Sequence, residues 1–165
     1  MPNDNVTFAT YTEHDKAAVL AVLRSNTPEF FAEREEEDLV ATLDDPDGPH
    51  WVLRTSDEVV GYGGFEIGNM YNRVVLTWGM VHRKMHRQGL GRFLLAHRAR
   101  EAARETGGNT RWLVVDTTPH VAPFYEKCGF DRVEVWEDGY RAGFDMVVLR
   151  MPFGSAQMDR LIGHY

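Results

Sequence analysis

At 165 residues and 18.9 kDa, with 43% apolar and 26% charged residues, the chain has the size and balance of one folded domain. A net charge of -7 argues against general nucleic-acid binding, and the single cysteine, Cys128, excludes an intramolecular disulfide and a cysteine-built zinc cluster. The longest unbroken apolar run, Ala17 to Leu23, is too short for a bilayer, and the opening MPNDNVTFAT lacks an export signal, so a soluble, cytoplasmic protein with no membrane partner is expected.

In chain order, Val6 and Phe8 alternate with polar neighbours and predict a first strand. Thr12 precedes the apolar-periodic Ala17, Leu20, Ala21 and Leu23, which predicts a helix from about Thr12 that ends before Pro28. An acid-rich helix is expected from Glu33 to Leu43, closed by the turn at Pro46 to Pro49. Three strands follow as an antiparallel meander: Trp51 to Thr55, Val59 to Ile67, and Val74 to Val81, the last hairpin turning around Met70-Tyr71. Gly63 and Gly64 predict a bulge or a close backbone approach within the middle strand.

Gly91 to Thr106 is the clearest helix, with Leu95, Ala99, Ala102 and Thr106 on one face and Gly107-Gly108 as its stop. Trp112 to Val115 predicts a strand buried on both faces, and Pro119 to Lys127 a short helix. A strand from Gly129-Phe130 to Trp136, a turn at Asp138-Gly139 and a strand from Phe144 to Met151 complete the pattern. The reading is one α/β domain over residues 1–165, with 153–165 as a C-terminal tail.

Charge is unevenly spread. From Glu29 to Glu58 acids outnumber bases eleven to two, while from His82 to Glu105 bases outnumber acids seven to two. Without further information both stretches read as solvated helix faces.

The segment VVLTWGMVHRKMHRQGLGRFLL, Val74 to Leu95, carries the most chemistry. A strand ends near Val81, a basic loop follows, and Gln88-Gly89-Leu90-Gly91 opens a helix. Unsatisfied first-turn amides and the helix dipole attract anions there, and glycine lets phosphate oxygens approach the backbone. Arg87 and Arg92 add positive charge. No Gly-Lys-Ser/Thr follows, so this is not a Walker loop, and Leu94 occupies the third glycine position of a dinucleotide fingerprint.

HRQGLGRFLL resembles the pyrophosphate loop of the GNAT N-acetyltransferase superfamily, Arg/Gln-x-x-Gly-x-Gly/Ala, with Gly89 and Gly91 in register and His86 in place of Arg or Gln. TPHVAPFYEKCGF resembles the family's second motif, Asn-x-x-Ala-x-x-x-Tyr-x-x-x-Gly-Phe. Tyr125, Gly129 and Phe130 fit it, Thr118 replaces Asn, and Val121 replaces Ala. The resemblance spans nearly the whole chain. It implies a mixed sheet of about seven strands, an antiparallel N-terminal meander joined to a parallel central pair, flanked by about four helices.

It also implies acetyl-CoA as co-substrate and direct attack by an amine on the thioester. Backbone contacts fall to Met80 and Val81, with Gly79 suited to a bulge that splays the sheet. Cofactor binding also falls to His82, His86, Arg87, Gln88, Gly89, Leu90, Gly91 and Arg92, to Thr118, which stands where the family's Asn bonds the pantetheine arm, and to Phe124 and Tyr125. Tyr125 is the candidate general acid, because a phenol with a reference pKa of about 10 can protonate the departing thiolate. The strand Val74 to Val81 has no titratable side chain, so Glu66 is the candidate base, placed opposite Val75 if the hairpin turns at Met70-Tyr71.

His82 and His86 are four apart but lack a zincin glutamate and sit among Arg83, Lys84 and Arg87, which speaks against a metal site. Cys128, at a helix end, is expected to be an inert thiol, and His120 a surface histidine. The resemblance places the acceptor, a small-molecule or peptide amine, between Asn26 to Asp38, where Phe30 and Phe31 lie amid acids, and the Glu137 to Arg141 loop. A homodimer is the assembly it suggests. A non-catalytic acyl-CoA-binding module would keep Gly89 and Gly91 but need neither Tyr125 nor a base; nucleic-acid binding through the basic helix is opposed by the overall acidity.

Overall fold

The computed structural model describes residues 5–68 and 72–165. The expected hairpin turn at Met70-Tyr71 lies outside the described residues, and with it the test of Glu66 against Val75. In chain order the elements are β1 (Val6–Thr10), α1 (Lys16–Ser25), α2 (Glu35–Asp44), β2 (His50–Thr55), β3 (Glu58–Gly68), β4 (Arg73–Val81), α3 (Leu90–Thr106), β5 (Trp112–Thr117), α4 (Ala122–Lys127), β6 (Asp131–Arg141), β7 (Phe144–Pro152) and α5 (Ala156–Gly163). The strands form a seven-stranded mixed sheet in the order β1-β2-β3-β4-β5-β7-β6, with β4 and β5 parallel.

The chain divides into two compact units, and β4 and α3 contribute a segment to each. The first holds residues up to Glu66 with Thr77–Arg98. Its strands β1, β2 and β3 run antiparallel, Phe8 opposite Leu53 and Val52 opposite Tyr62. Alternation along the strands builds two cores. Val52, Val59, Tyr62 and Met80 meet Val19, Val22 and Leu23 of α1 and Leu39 and Leu43 of α2. Leu53, Val60 and Val81 meet Leu90 and Leu94 of α3.

The entry to α1 is set by a short 3-10 turn, Glu13–Asp15, so the helix begins four residues after the expected Thr12. Thr12 is instead the cap: its amide donates to Asp15 Oδ2 at 3.0 Å, and the Asp15 amide donates to the Thr12 carbonyl at 2.8 Å. Asp15 is buried and ion-paired to Arg54 of β2, which anchors the helix start to the sheet.

The second unit holds Ile67–Leu76 with Ala99–Tyr165. Here the first half of β4 pairs with β5, Val74 opposite Leu113, and β7 runs antiparallel between β5 and β6. Leu113, Val115, Val147, Leu149 and Met151 are buried, with Ala99 and Ala102 of α3 and Tyr125 of α4.

Two expectations fail in this unit. The strand expected to stop at Trp136 runs on to Arg141, and Asp138-Gly139 lies inside it. Asp138 takes a left-handed conformation as a bulge, while the hairpin closes where Arg141 pairs with Phe144 and Gly143 adopts φ +81°. The stretch expected as a tail, 153–165, carries the helix α5. Ser155 caps it by accepting the Met158 amide at 3.2 Å, and Met158 and Leu161 are buried. No helix among the described residues is long and apolar enough to cross a membrane.

Candidate active site

The glycine loop forms as the chain leaves β4. The His82 amide donates to the Val60 carbonyl at 2.7 Å, and a 3-10 turn follows at Arg83–Met85. His82 Nδ1 accepts the Lys84 amide at 3.3 Å, so that nitrogen carries no proton. Burial, then the Lys84 charge, holds the imidazole below its ordinary pKa. His86 Nε2 lies 2.8 Å from the Val81 carbonyl. A carbonyl only accepts, so the proton sits on Nε2 and is engaged within the loop's own neck. Arg87 (φ +60°) and Gly89 (φ +82°) then turn the backbone into α3. A Cβ at Gly89 would meet nothing within 4 Å, so glycine is required by the backbone conformation and leaves open space beside it.

Charge in the loop is partitioned. Arg83 pairs with Glu29, and Lys84 with Glu58 at 2.5 Å; the Lys84 bond pulls the Glu58 carboxyl below its usual range. Arg87 and Arg92 join no salt bridge among the described residues, and Arg92 Nε is buried without a hydrogen-bond partner. An orphaned guanidinium donor, a glycine with empty space beside it and the first-turn amides of α3 suit an anion such as a diphosphate.

The strand feeding this loop is irregular. Trp78 sits at φ +54°, a conformation that costs a non-glycine residue on the order of 1–2 kcal/mol. Its indole Nε1 donates to Thr42 Oγ1 at 3.2 Å and its ring stacks on Phe31, centroids 6.2 Å apart, so the surroundings hold it there. The left-handed residue of the strand is thus Trp78, immediately before the Gly79 at which a bulge was expected. Gly79 is needed for another reason: a Cβ there would lie 2.5 Å from Arg98 Nη2. Arg98 itself, expected on a solvated face, is 2% exposed.

Glu66 lines a small cavity with His50, Tyr62, Thr77 and Thr42. His50 Nδ1 and the Tyr62 hydroxyl share a 2.7 Å hydrogen bond. Burial pulls the His50 pKa down, and burial first, then Tyr11, pushes the Tyr62 phenol up. Both groups are therefore neutral at pH 7. No sequence motif announces this pair, since a histidine and a tyrosine twelve residues apart form none. The strand pattern could have shown it: the β2–β3 register sets Val52 opposite Tyr62 and His50 opposite Gly64.

In the second unit, Thr118 follows β5, and its carbonyl accepts the Val121 and Ala122 amides at 3.1 and 3.0 Å, which starts α4. Tyr125 is buried on α4, its ring edge-on to Phe124 at 5.0 Å and to Phe130 at 5.6 Å. Cys128 is buried at the same helix's end, and His120 is exposed. Residues Glu137 to Arg141, expected as a loop, belong to β6. Thus Glu66, Met80, Val81, His82 and His86 to Arg92 gather in the first unit, and Thr118, Phe124 and Tyr125 in the second.

The family model described as Acetyltransferase (GNAT) family matches residues 19–130. Among solved structures, a GNAT-family acetyltransferase of Desulfovibrio desulfuricans is 27% identical, with a TM-score of 0.76, covering 89% of this chain and 98% of its own. The ribosomal-protein-S18-alanine N-acetyltransferase of Escherichia coli is 17% identical, with a TM-score of 0.74 over 92% of this chain and 96% of its own. The yncA protein of Salmonella typhimurium, solved with its cofactor acetyl-CoA, is 18% identical, with a TM-score of 0.72 over 92% and 96%. A search of curated protein sequences finds no match.

Proposed function

Because the chain belongs to the GNAT family of acetyltransferases, we propose that it transfers an acetyl group from acetyl-CoA to a primary amine of a cationic small molecule or peptide. The observation that carries the reading is the loop from Arg87 to Arg92, where Gly89 leaves open space and Arg92 Nε is buried unpaired. Arg87, Arg92 and the amides of Leu90 and Gly91 hold the diphosphate. Gln88, whose side-chain amide donates to the Lys84 carbonyl at 3.2 Å, stiffens the loop, as does His86 at Val81.

Acetyl-CoA supplies a thioester whose carbonyl carbon takes the amine nitrogen and whose sulfur leaves. This chain's part is threefold. The backbone amides at Met80 and Val81 polarise the carbonyl. Glu66 takes the ammonium proton, directly or through the cavity it shares with His50 and Tyr62. Tyr125 donates its hydroxyl proton to the sulfur as the C–S bond breaks, the second proton shed by the acylated nitrogen restores the phenol, and Thr118 and Phe124 steady the pantetheine arm.

The acceptor side is built from Phe30 and Phe31 beside the acidic first turn of α2, Glu35 to Asp38. Aromatic faces among carboxylates favour a cation. Thiol release from acetyl-CoA against a panel of cationic, neutral and acidic amines from pH 6 to 9 tests the reading. Cationic amines are expected to lead; a lead by acidic amines would refute the acceptor class, and binding of acetyl-CoA with no turnover of any amine would identify a non-catalytic acyl-CoA-binding module.

A further inference from the structure

Arg98 is a charged side chain that the acetyl-transfer scheme leaves unused, and it heads the largest fully buried side chains of the protein. Burying a guanidinium costs several kcal/mol before its contacts are counted, and a core that only needed filling would take leucine or methionine at lower cost. Its surroundings are shaped for it. Nη1 donates to the Gly64 carbonyl of β3 and to the Thr77 carbonyl of β4, each at 3.2 Å. A Cβ at Gly79 would lie 2.5 Å from Nη2, and one at Gly63 would lie 3.0 Å from Cζ. Two glycines on adjacent strands are thus the clearance for one guanidinium.

The two carbonyls mark a definite place. Thr77 immediately precedes Trp78, the left-handed residue of β4, and the next residues are Gly79 and Met80. Trp78 joins the peptide unit that carries the Thr77 carbonyl to the one that carries the Gly79 amide, and the Met80 amide belongs to the next unit along, so holding the Thr77 carbonyl fixes the start of the short path that aims the Met80 amide. Hydrophobic packing cannot fix a carbonyl's direction; a charged planar fork can.

We propose that Arg98 is a positioning residue for acetyl transfer, clamping the Gly64 and Thr77 carbonyls so that the Met80 amide stays aimed at the thioester carbonyl. The inference rests on the acetyltransferase reading given above. The guanidinium touches neither substrate; it acts through the β4 backbone, and its positive charge, close behind that strand in the low-dielectric core, favours negative charge developing on the carbonyl oxygen.

The test uses the full chain with acetyl-CoA labelled by isotope at the acetyl carbonyl, read by difference infrared spectroscopy. Coenzyme A affinity is measured in parallel by calorimetry. In the wild type the bound carbonyl band is expected below that of free acetyl-CoA. Arg98→Met should lose most of that displacement, and Arg98→Lys, which keeps the charge but not the fork, should retain part of it. Coenzyme A Kd should stay within about threefold in both. With an active amine, kcat should fall about a hundredfold for Arg98→Met and less for Arg98→Lys, with the KM for acetyl-CoA little changed. Gly79→Ala, which keeps Arg98 but pushes on Nη2, should reproduce part of the loss.

A folded Arg98→Met variant with an undiminished band displacement and unchanged kcat overturns the inference. So does a failure of all three variants to fold, since Arg98 would then be a requirement of the core. An undisplaced band in the wild type instead refutes the role given to the Met80 amide, and the inference falls with it.

Discussion

The side-chain amide of Asn26 donates to the main-chain carbonyl of Val81 at 3.0 Å, and the same nitrogen donates to Val22 at 3.0 Å within its own helix. His86 Nε2 lies 2.8 Å from that same Val81 carbonyl. The end of α1, the end of β4 and the glycine loop are therefore tied at a single oxygen. Asn26 is 2% exposed, and its Oδ1 accepts no hydrogen bond. Replacing Asn26 by Leu should lower stability by about 1–3 kcal/mol, because the Val22 and Val81 carbonyls lose a buried donor. Asn26→Asp should lose at least as much, since a carboxylate cannot donate to either carbonyl. Chemical denaturation at pH 7 with and without coenzyme A measures both, and the ligand-induced stabilisation should shrink in each variant.

Gly89→Ala separates backbone from bulk. A methyl group there meets open space, so the cost is the conformational one, about 1–2 kcal/mol for φ +82°. The methyl would intrude where phosphate oxygens approach, so coenzyme A affinity should fall about tenfold or more by calorimetry while the fold survives.

Arg92→Met tests the orphaned Nε. Coenzyme A binding should weaken about tenfold at low salt, and the difference from wild type should narrow as ionic strength rises, because a charge-assisted contact has been removed. Arg83→Met, which removes the partner of Glu29, should change affinity far less.

Tyr125→Phe should lower kcat about a hundredfold with coenzyme A Kd nearly unchanged, since a proton donor acts in the transition state. The ring stays between Phe124 and Phe130, so the thermal midpoint should move little. An unaltered kcat removes Tyr125 from the mechanism.

Acid should destabilise the protein in two steps. His50 and His82 have folded pKa values depressed below the unfolded one near 6.5, so the unfolded chain binds more protons as pH falls. Their contribution is complete above pH 6.5 and is lost as pH falls below it. Glu36, held down by its Arg24 bond, and Glu58, held down by Lys84, add a second loss as pH drops below about 4.5. His50→Gln, which can still hydrogen-bond the Tyr62 hydroxyl, should flatten the first step in melts between pH 7.5 and 5.

The elements legible in the sequence were those whose local chemistry agrees with their packing. The meander from Trp51 to Val81 and the helix after Gly89 fall within one or two residues of expectation, because alternation and glycine placement are local signals. The hairpin was misplaced because Asp138-Gly139 has the composition of a turn, yet Asp138 serves a bulge and its Oδ1 accepts the Gly143 amide at 2.5 Å. The last helix went unseen although Ser155, Met158 and Leu161 carry its cap and buried face. Arg98 is nearly invisible in the sequence: an arginine in a charged helix reads as solvated, and only Gly63 and Gly79, on two strands, record the room made for it. The grouping of His50, Tyr62 and Glu66 leaves no motif for a similar reason, since the three meet only through strand pairing.

The bend at Trp78 places an indole next to the backbone proposed to greet the thioester, pinned by Thr42 and flattened against Phe31. That ring is a native optical reporter. With the other tryptophans at 51, 112 and 136 replaced by phenylalanine, its emission would follow occupancy of the strand's end in real time, with no dye attached and no acceptor needed.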